Sequence, residues 1–362
     1  MYLTFGEIMM RIAPEGFLRF RQAMPGKVDV TFAGGEANVC ASLALFGNRT
    51  RYVTALPDHA ISQSLLTVLK GLEIDTSHVL LRREGRLGIY FLETGANQRS
   101  SNVIYDRAGS AISMALPADY SFDDALDGVH WVHITGITPA LSENAFLSTL
   151  ELVRRSRLRR ATVSCDLNFR GKLWRWHPER DPKSLARDCM AQLLPFVDVV
   201  IANEEDAANV LDIHADGTEV EAGQINAAAY EHVAREVASR FPNVRQVAIT
   251  LRESISATHN NWGALLFERA QDRAFFAPLA SDGQYQPYEI RDIVDRVGGG
   301  DSFGAGLIHA LNSEAFAGPD QAIRFAAAAS CLKHSIKGDF NYATLDEVRA
   351  LVRGQASGRV RR

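Results

Sequence analysis

From residue 129 onward, strand-length apolar stretches alternate with longer segments whose apolar residues recur every three or four positions. The pattern predicts strands at 129–135, 161–166, 197–202 and 246–250, with helices at 143–154, 184–194 and 225–239 between them. Strand and helix in strict succession imply a parallel sheet with helices on both faces, and ligands then collect at the carboxyl ends of the strands. Polar residues follow three of these strands: Asn168 and Arg170, Asn203 and Asp206, Thr250 and Arg252.

The first third reads differently. A strand opens the chain and runs toward Ile12, Ala13-Pro14-Glu15-Gly16 breaks it, and 18–32 alternates loosely, as in a half-exposed antiparallel strand. Residues 33–47 form a small-residue helix opened by Gly34-Gly35; 51–56 and 79–83 read as strands, and 61–70 as a helix. Segments 86–93 and 101–107 alternate in period two around a polar turn, predicting a hairpin with Tyr90 and Tyr105 on one face. With the strand near residue 30 this hairpin makes a small sheet outside the main alternation, built from about 11–33 and 85–112: a lid over a cleft. Its apolar outer face needs cover, which the lid of a second copy would supply. Beyond 250 come a turn-rich, hairpin-like segment to 286, an unassigned loop at 281–287, an Ala-rich helix at 319–336 expected against the sheet, and a closing amphipathic helix at 345–353.

Composition narrows the function classes. The 362 residues are 46% apolar and 23% charged, with a net charge of −4, which argues against a nucleic-acid or anionic-membrane partner. The four cysteines are widely spaced and suggest neither a zinc cluster nor a disulfide framework. The opening Tyr2-Leu3-Thr4-Phe5 lacks signal-peptide character and no apolar run approaches a membrane span, so the expectation is a cytoplasmic protein.

The densest chemistry lies in Asp295-Arg296-Val297-Gly298-Gly299-Gly300-Asp301, leading into a small-residue helix. A helix start behind glycines presents unpaired N–H groups and the positive end of the macrodipole, an anion site. Asp301 there is either an N-cap or a general base taking a proton from a hydroxyl while the N–H groups hold a phosphoryl group in transfer. Gly34 and Gly35 admit two uses, close approach to a ligand or tight helix-on-sheet packing. The P-loop and protein-kinase signatures are absent, and no Gly-x-Gly-x-x-Gly sits directly after the first strand of a βαβ unit with an acidic residue about 20 positions on.

The Asp-x-x-Gly-x-Gly-Asp spacing ending at Asp301, together with the Gly34-Gly35 stretch, resembles the two signatures of the ribokinase-like (PfkB) carbohydrate kinases. The resemblance implies a three-layer α/β sandwich with a mostly parallel central sheet and a β-sheet lid, over 1–355, with a basic tail at 356–362. It implies Asp301 as base, Gly298, Gly299 and Gly300 as anion hole, and Gly34, Gly35 and Asn38 against the sugar. Nucleotide contacts are implied at Asn168, Asn203, Asp206, Thr250, Arg252, Gly298 and Gly300, with ATP and Mg2+ as cofactors. Asn203-Glu204-Glu205-Asp206 resembles the family's Asn-x-x-Glu motif with Asp in last place, a carboxylate acting on the metal through water; without the resemblance these acids are a dipole-favoured helix start. Arg252 stands where the family usually has Gly.

Tyr105-Asp106-Arg107-Ala108-Gly109 and Asp166-Leu167-Asn168-Phe169-Arg170 resemble stretches of the family's 2-keto-3-deoxygluconate kinases. There the matching arginines, Arg107 and Arg170, meet the substrate carboxylate and the matching tyrosines, Tyr90 and Tyr105, its oxygens. A guanidinium fork suits a carboxylate; the other uses are a solvated lid charge for Arg107 and a phosphate contact for Arg170. The expected activity is ATP-dependent phosphorylation of the terminal hydroxyl of 2-keto-3-deoxygluconate by a homo-oligomer. The rivals are a fructokinase-like family member and an inactive sugar-binding regulator on the same scaffold.

Overall fold

The structure is a computed structural model that describes residues 1–203, 205–215 and 227–355. Strand β1 (Tyr2–Phe5) opens the central sheet. The chain then leaves that sheet for β2 (Met9–Ala13) and β3 (Asp29–Ala33), and returns through helix α1 (Gly35–Leu45) to β4 (Thr50–Val53). β5 (Ala55–Pro57), helix α2 (Ala60–Gly71) and β6 (Leu80–Arg82) follow, β5 pairing β6 in parallel, before β7 (Ile89–Glu93) and β8 (Asn102–Asp106). From β9 (Trp131–Thr135) strands and helices alternate: α3 (Glu143–Leu158), β10 (Thr162–Asp166), α4 (Pro182–Leu193), β11 (Val199–Ala202), α5 (Ala227–Arg240), β12 (Gln246–Ser256).

β4-β1-β9-β10-β11-β12 are parallel in that order, extended by antiparallel β13 (His259–Glu268) and β14 (Arg273–Ala277), with β15 (Tyr288–Ile290) on β13. Period-two burial sorts the strand residues into two layers. Leu3, Val132, Val163, Val200 and Val247 pack with α3, α4 and α5. Tyr2, Trp131, Val199, Ile201 and Ala248 pack with α1, α6 (Gly299–Leu311) and α7 (Pro319–Lys333), which α8 (Leu345–Val352) backs. The result is the three-layer α/β sandwich expected, with helices on both faces of a mostly parallel sheet. Local chemistry sets the helix starts: the Ser142 and Asp181 side chains accept from Ala145 N–H and Ser184 N–H at the heads of α3 and α4, and Thr344 and Glu347 form a capping box on α8.

The second sheet, in order β3-β2-β7-β8, is separate from the central one and is the small sheet expected as a lid; it is antiparallel except for β2 against β7. Three sequence expectations change here. Met9–Ala13 does not continue β1: the chain crosses over at Gly6–Ile8, pinned by the Tyr52 hydroxyl donating to the Gly6 carbonyl (2.7 Å), and β2 becomes an inner lid strand. The strand expected across 18–32 shrinks to β3, because Pro25 lacks an N–H for the ladder and Gly26 follows it. The strand from 246 does not end at 250 but runs to Ser256 and returns as β13, a long arm that carries Arg252 and Trp262 beside the strand ends. The expected start of the 225–239 helix and the tail 356–362 lie outside the described residues.

Candidate active site

At the carboxyl ends of the parallel strands, under the lid, lies a cavity of about 360 Å³. Its floor is the start of α6. Gly298 takes φ +84°, and a side chain there would collide with the Asp339 carbonyl, so only glycine fits the turn. Among the described residues no backbone carbonyl accepts the N–H of Gly300 or Asp301, which leaves two donors and the positive end of α6 facing the cavity. Asp301 is not the N-cap; that position belongs to Gly298, and Asp301 sits in the first turn. Its Oδ2 accepts from Asn38 Nδ2 at 2.7 Å, while burial pushes the carboxyl up to about 7 against that hydrogen bond.

Opposite, Gly34 lies so close to the β1–β2 crossover that any side chain would strike the Glu7 carbonyl, while Gly35 opens directly onto Asp301. Glu36 is fully buried, with Oε1 accepting from the hydroxyls of Thr135 and Thr138 (2.7 and 2.8 Å), and so ties the head of α1 to the end of β9. Burial raises its pKa.

Every candidate residue from the sequence lines this cavity except Asp206. Asp206 Oδ1 accepts from Phe169 N–H (2.9 Å) and Oδ2 from Asn203 N–H (3.0 Å). Its carboxylate therefore clamps together the two loops that carry Arg170 and Asn203 and does not face the cavity. Glu204 of the same motif lies outside the described residues. At the strand ends the carboxylate that lines the cavity is Asp166, the last residue of β10, whose pKa is raised by burial and then by Asp206 and Asp301.

Arg107 and Tyr90 are in place but already engaged. Arg107 Nε donates to Glu7 Oε2 at 2.6 Å, both side chains are buried, and its guanidinium stands 5.5 Å from the Tyr105 ring centroid. The Tyr90 hydroxyl donates to Asp339 (2.7 Å), which also takes Arg11 Nη1 at 2.5 Å. Tyr90 and Tyr105 are direct cross-strand partners on one lid face, as the period-two pattern indicates. Arg170 is exposed and bonds the Phe169 carbonyl. Sequence reasoning missed Glu7, Asp166, Asp339 and Arg296. Arg296 lines the cavity and donates to the Ser256 carbonyl and Asn260 Oδ1 (3.1 and 3.0 Å). Only the position of Arg296 inside the Asp295–Asp301 motif was a signal for it.

The arrangement joins a partly protonated carboxyl, a helix-start anion hole and arginines in one cleft, the parts that transfer to an alcohol requires. A family model described as pfkB family carbohydrate kinase matches residues 2–341. The chain belongs to the pfkB carbohydrate kinases. Among relatives of this kinase, a 2-dehydro-3-deoxygalactonokinase of Haloferax volcanii is 30% identical, with 98% of each chain covered. A crystal structure of 2-dehydro-3-deoxygluconokinase from Thermotoga maritima is 40% identical with a TM-score of 0.86, covering 98% of this kinase and 99% of that chain. A fructokinase of Xylella fastidiosa with bound ATP, 18% identical with a TM-score of 0.74 over 98% and 99% of the two chains, shares the fold. No helix among the described residues is long and apolar enough to cross a membrane.

Proposed function

We propose that this kinase transfers the γ-phosphoryl group of ATP to the terminal hydroxyl of 2-keto-3-deoxygluconate. The observation that carries the reading is Asp301, a carboxyl whose pKa burial raises to about 7, beside the N–H groups of Gly300 and Asp301, which no backbone carbonyl among the described residues takes up. As the sugar oxygen bonds to the γ-phosphorus and the bond from that phosphorus to the bridging oxygen of ADP breaks, Asp301 accepts the hydroxyl proton. The N–H groups of Gly300 and Asp301 take the charge on the phosphoryl oxygens. Arg170 supports recognition of a carboxylate, since among the described residues it forms no ion pair and its hydrogen bond goes to the Phe169 carbonyl; Arg107 joins only by giving up Glu7.

Mg2+ fits the wall as a water-held ion. No cluster of three or more His, Cys, Asp or Glu is close enough to form a cage among the described residues, and Asp166 supplies one carboxylate at the cavity edge. The ion, when bound, neutralises charge on the phosphates. Asn168, Asn203, Thr250, Arg252 and Arg296 would line the nucleotide.

The lid supports a homo-oligomer. Val30, Phe32, Met10, Ile12, Ile89, Phe91 and Ile104 share its outer face by register, and Val30 and Ile104 are more than half exposed. Four free cysteines fit a cytoplasmic setting.

A coupled assay with the gluconate- and galactonate-derived keto acids, fructose and ribose tests the substrate. At least ten-fold preference in kcat/KM for a keto acid over both neutral sugars is expected, and ten-fold preference for a neutral sugar overturns the assignment. The Haloferax relative favours a second reading, the galactonate epimer, which the same assay separates.

A further inference from the structure

Behind the anion hole lies a buried charge that the mechanism above does not use. Lys333, the last residue of α7, is fully buried. Its ammonium donates to the Ile336 carbonyl at 3.0 Å and lies 3.5 Å from the Asp295 carbonyl. Its stem runs directly beneath Gly298, where an added side chain would come within 3.3 Å of Lys333 Cε. The ammonium thus joins the two segments that form the underside of the hole, 295–298 and 336–339.

The same two segments meet again through Asp295, which accepts from Val297 N–H and Gly338 N–H, both at 3.1 Å. Arg11, from lid strand β2, spans Asp295 and Asp339 at 2.6 and 2.5 Å. Lys333, through the field, and Arg11, by direct ion pairs, therefore offset the charges of Asp295 and Asp339. Removing the ammonium leaves one cation against two carboxylates beneath the place where phosphoryl charge accumulates. It also frees the buried Asp295 carbonyl and the partly buried Ile336 carbonyl, whose loss of partners loosens the Gly298 turn.

We infer that Lys333 is a positioning residue for phosphoryl transfer: its ammonium holds the anion-hole loop in shape and sets the charge behind it, without touching either substrate. Asp301 feels the same cation. The charged groups around Asp301 are Glu36 on α1, Asp166 at the end of β10, Arg170 beyond it, Asp339 and Lys333, while Asn38 hydrogen-bonds it. Loss of one positive charge from that set makes proton release from Asp301 harder.

The inference rests on the kinase reading but not on which sugar is used, because whichever acceptor the substrate panel selects serves as the reference. Lys333→Met keeps the stem and removes the charge; Lys333→Ala leaves room for a small cation. For Lys333→Met the expected result is a folded protein with kcat lower by on the order of 10²-fold. Its sugar KM should stay within about three-fold, and the acid limb of kcat/KM should move up by roughly half a pH unit. For Lys333→Ala, ammonium chloride should restore kcat at least five-fold over tetramethylammonium chloride at equal ionic strength. A kcat within two-fold of the unaltered enzyme overturns the inference. So does a deficit with an unmoved pH limb and no ammonium response, or failure of both variants to fold, which makes the residue purely structural.

Discussion

The two walls of the cavity handle charge in opposite ways. On the lid side, Arg107 is answered by Glu7, and Arg11 by Asp295 and Asp339, with Tyr90 completing Asp339. At the strand ends, among the described residues, the hydrogen bonds of Arg170 and Arg296 go to neutral oxygens, and Arg170 meets Asp166, Asp206 and Asp301 through the field alone. A wall whose charges are matched before any ligand arrives recognises by shape and fixed hydrogen bonds; a wall with guanidiniums on neutral partners has positive charge to spend on anions. The two-arginine clamp suggested by the sequence therefore divides: Arg170 is available to a carboxylate or phosphate, and Arg107 is tied into the lid.

The largest effect should come where the walls meet: Asp301→Asn should bind sugar as before and lose about 10²–10⁴ in kcat, as expected for removal of a general base; calorimetry alongside a coupled assay checks both halves. Gly298→Ala places a side chain at φ +84° against the Asp339 carbonyl, so kcat should fall on the order of 10²-fold and stability by about 1–3 kcal/mol, read by turnover and thermal melting.

Smaller, and sharper for the comparison, is the contrast between the arginines. Arg107→Ala strands the buried Glu7 carboxylate and should destabilise the fold by about 3–5 kcal/mol, much of it recovered when Glu7→Gln is added. Arg170→Ala, on an exposed side chain, should leave the melting temperature within about 2 °C while raising KM for the keto acid about ten-fold. If Arg107→Ala is thermally silent and raises KM as Arg170→Ala does, the two walls do not differ as described.

Much of this architecture was legible because it is periodic. The alternation after residue 129 fixed a parallel sheet and the end of it at which Asn168, Arg170, Asn203 and Thr250 collect, and the hairpin alternation paired Tyr90 with Tyr105. The Asp301 loop was legible because glycines before a helix have few other uses. Illegible were partners set by long-range packing. Glu7 meets Arg107 100 residues away, and Arg11 meets Asp339 across 328 residues, distances over which no local spacing carries a signal. Asp206 misled for the related reason that a motif names a residue type, while the loop geometry of Asn203 and Phe169 decides where its oxygens turn. The crossover at Gly6–Ile8 was hidden because apolar β1 and β2 follow each other with only three residues between them.

On the proposed reading residue 301 is a base whose pKa burial raises to about 7, and the pH dependence of kcat/KM reads that property out. A carboxyl raised to about 7 is protonated, and useless as a base, below that pH. Activity should therefore rise about ten-fold per pH unit from pH 5 to 6 and level off above about 7.5. The residual activity of Asp301→Asn should lack that limb. A profile already flat from pH 5 upward, or the same limb persisting in Asp301→Asn, contradicts the account.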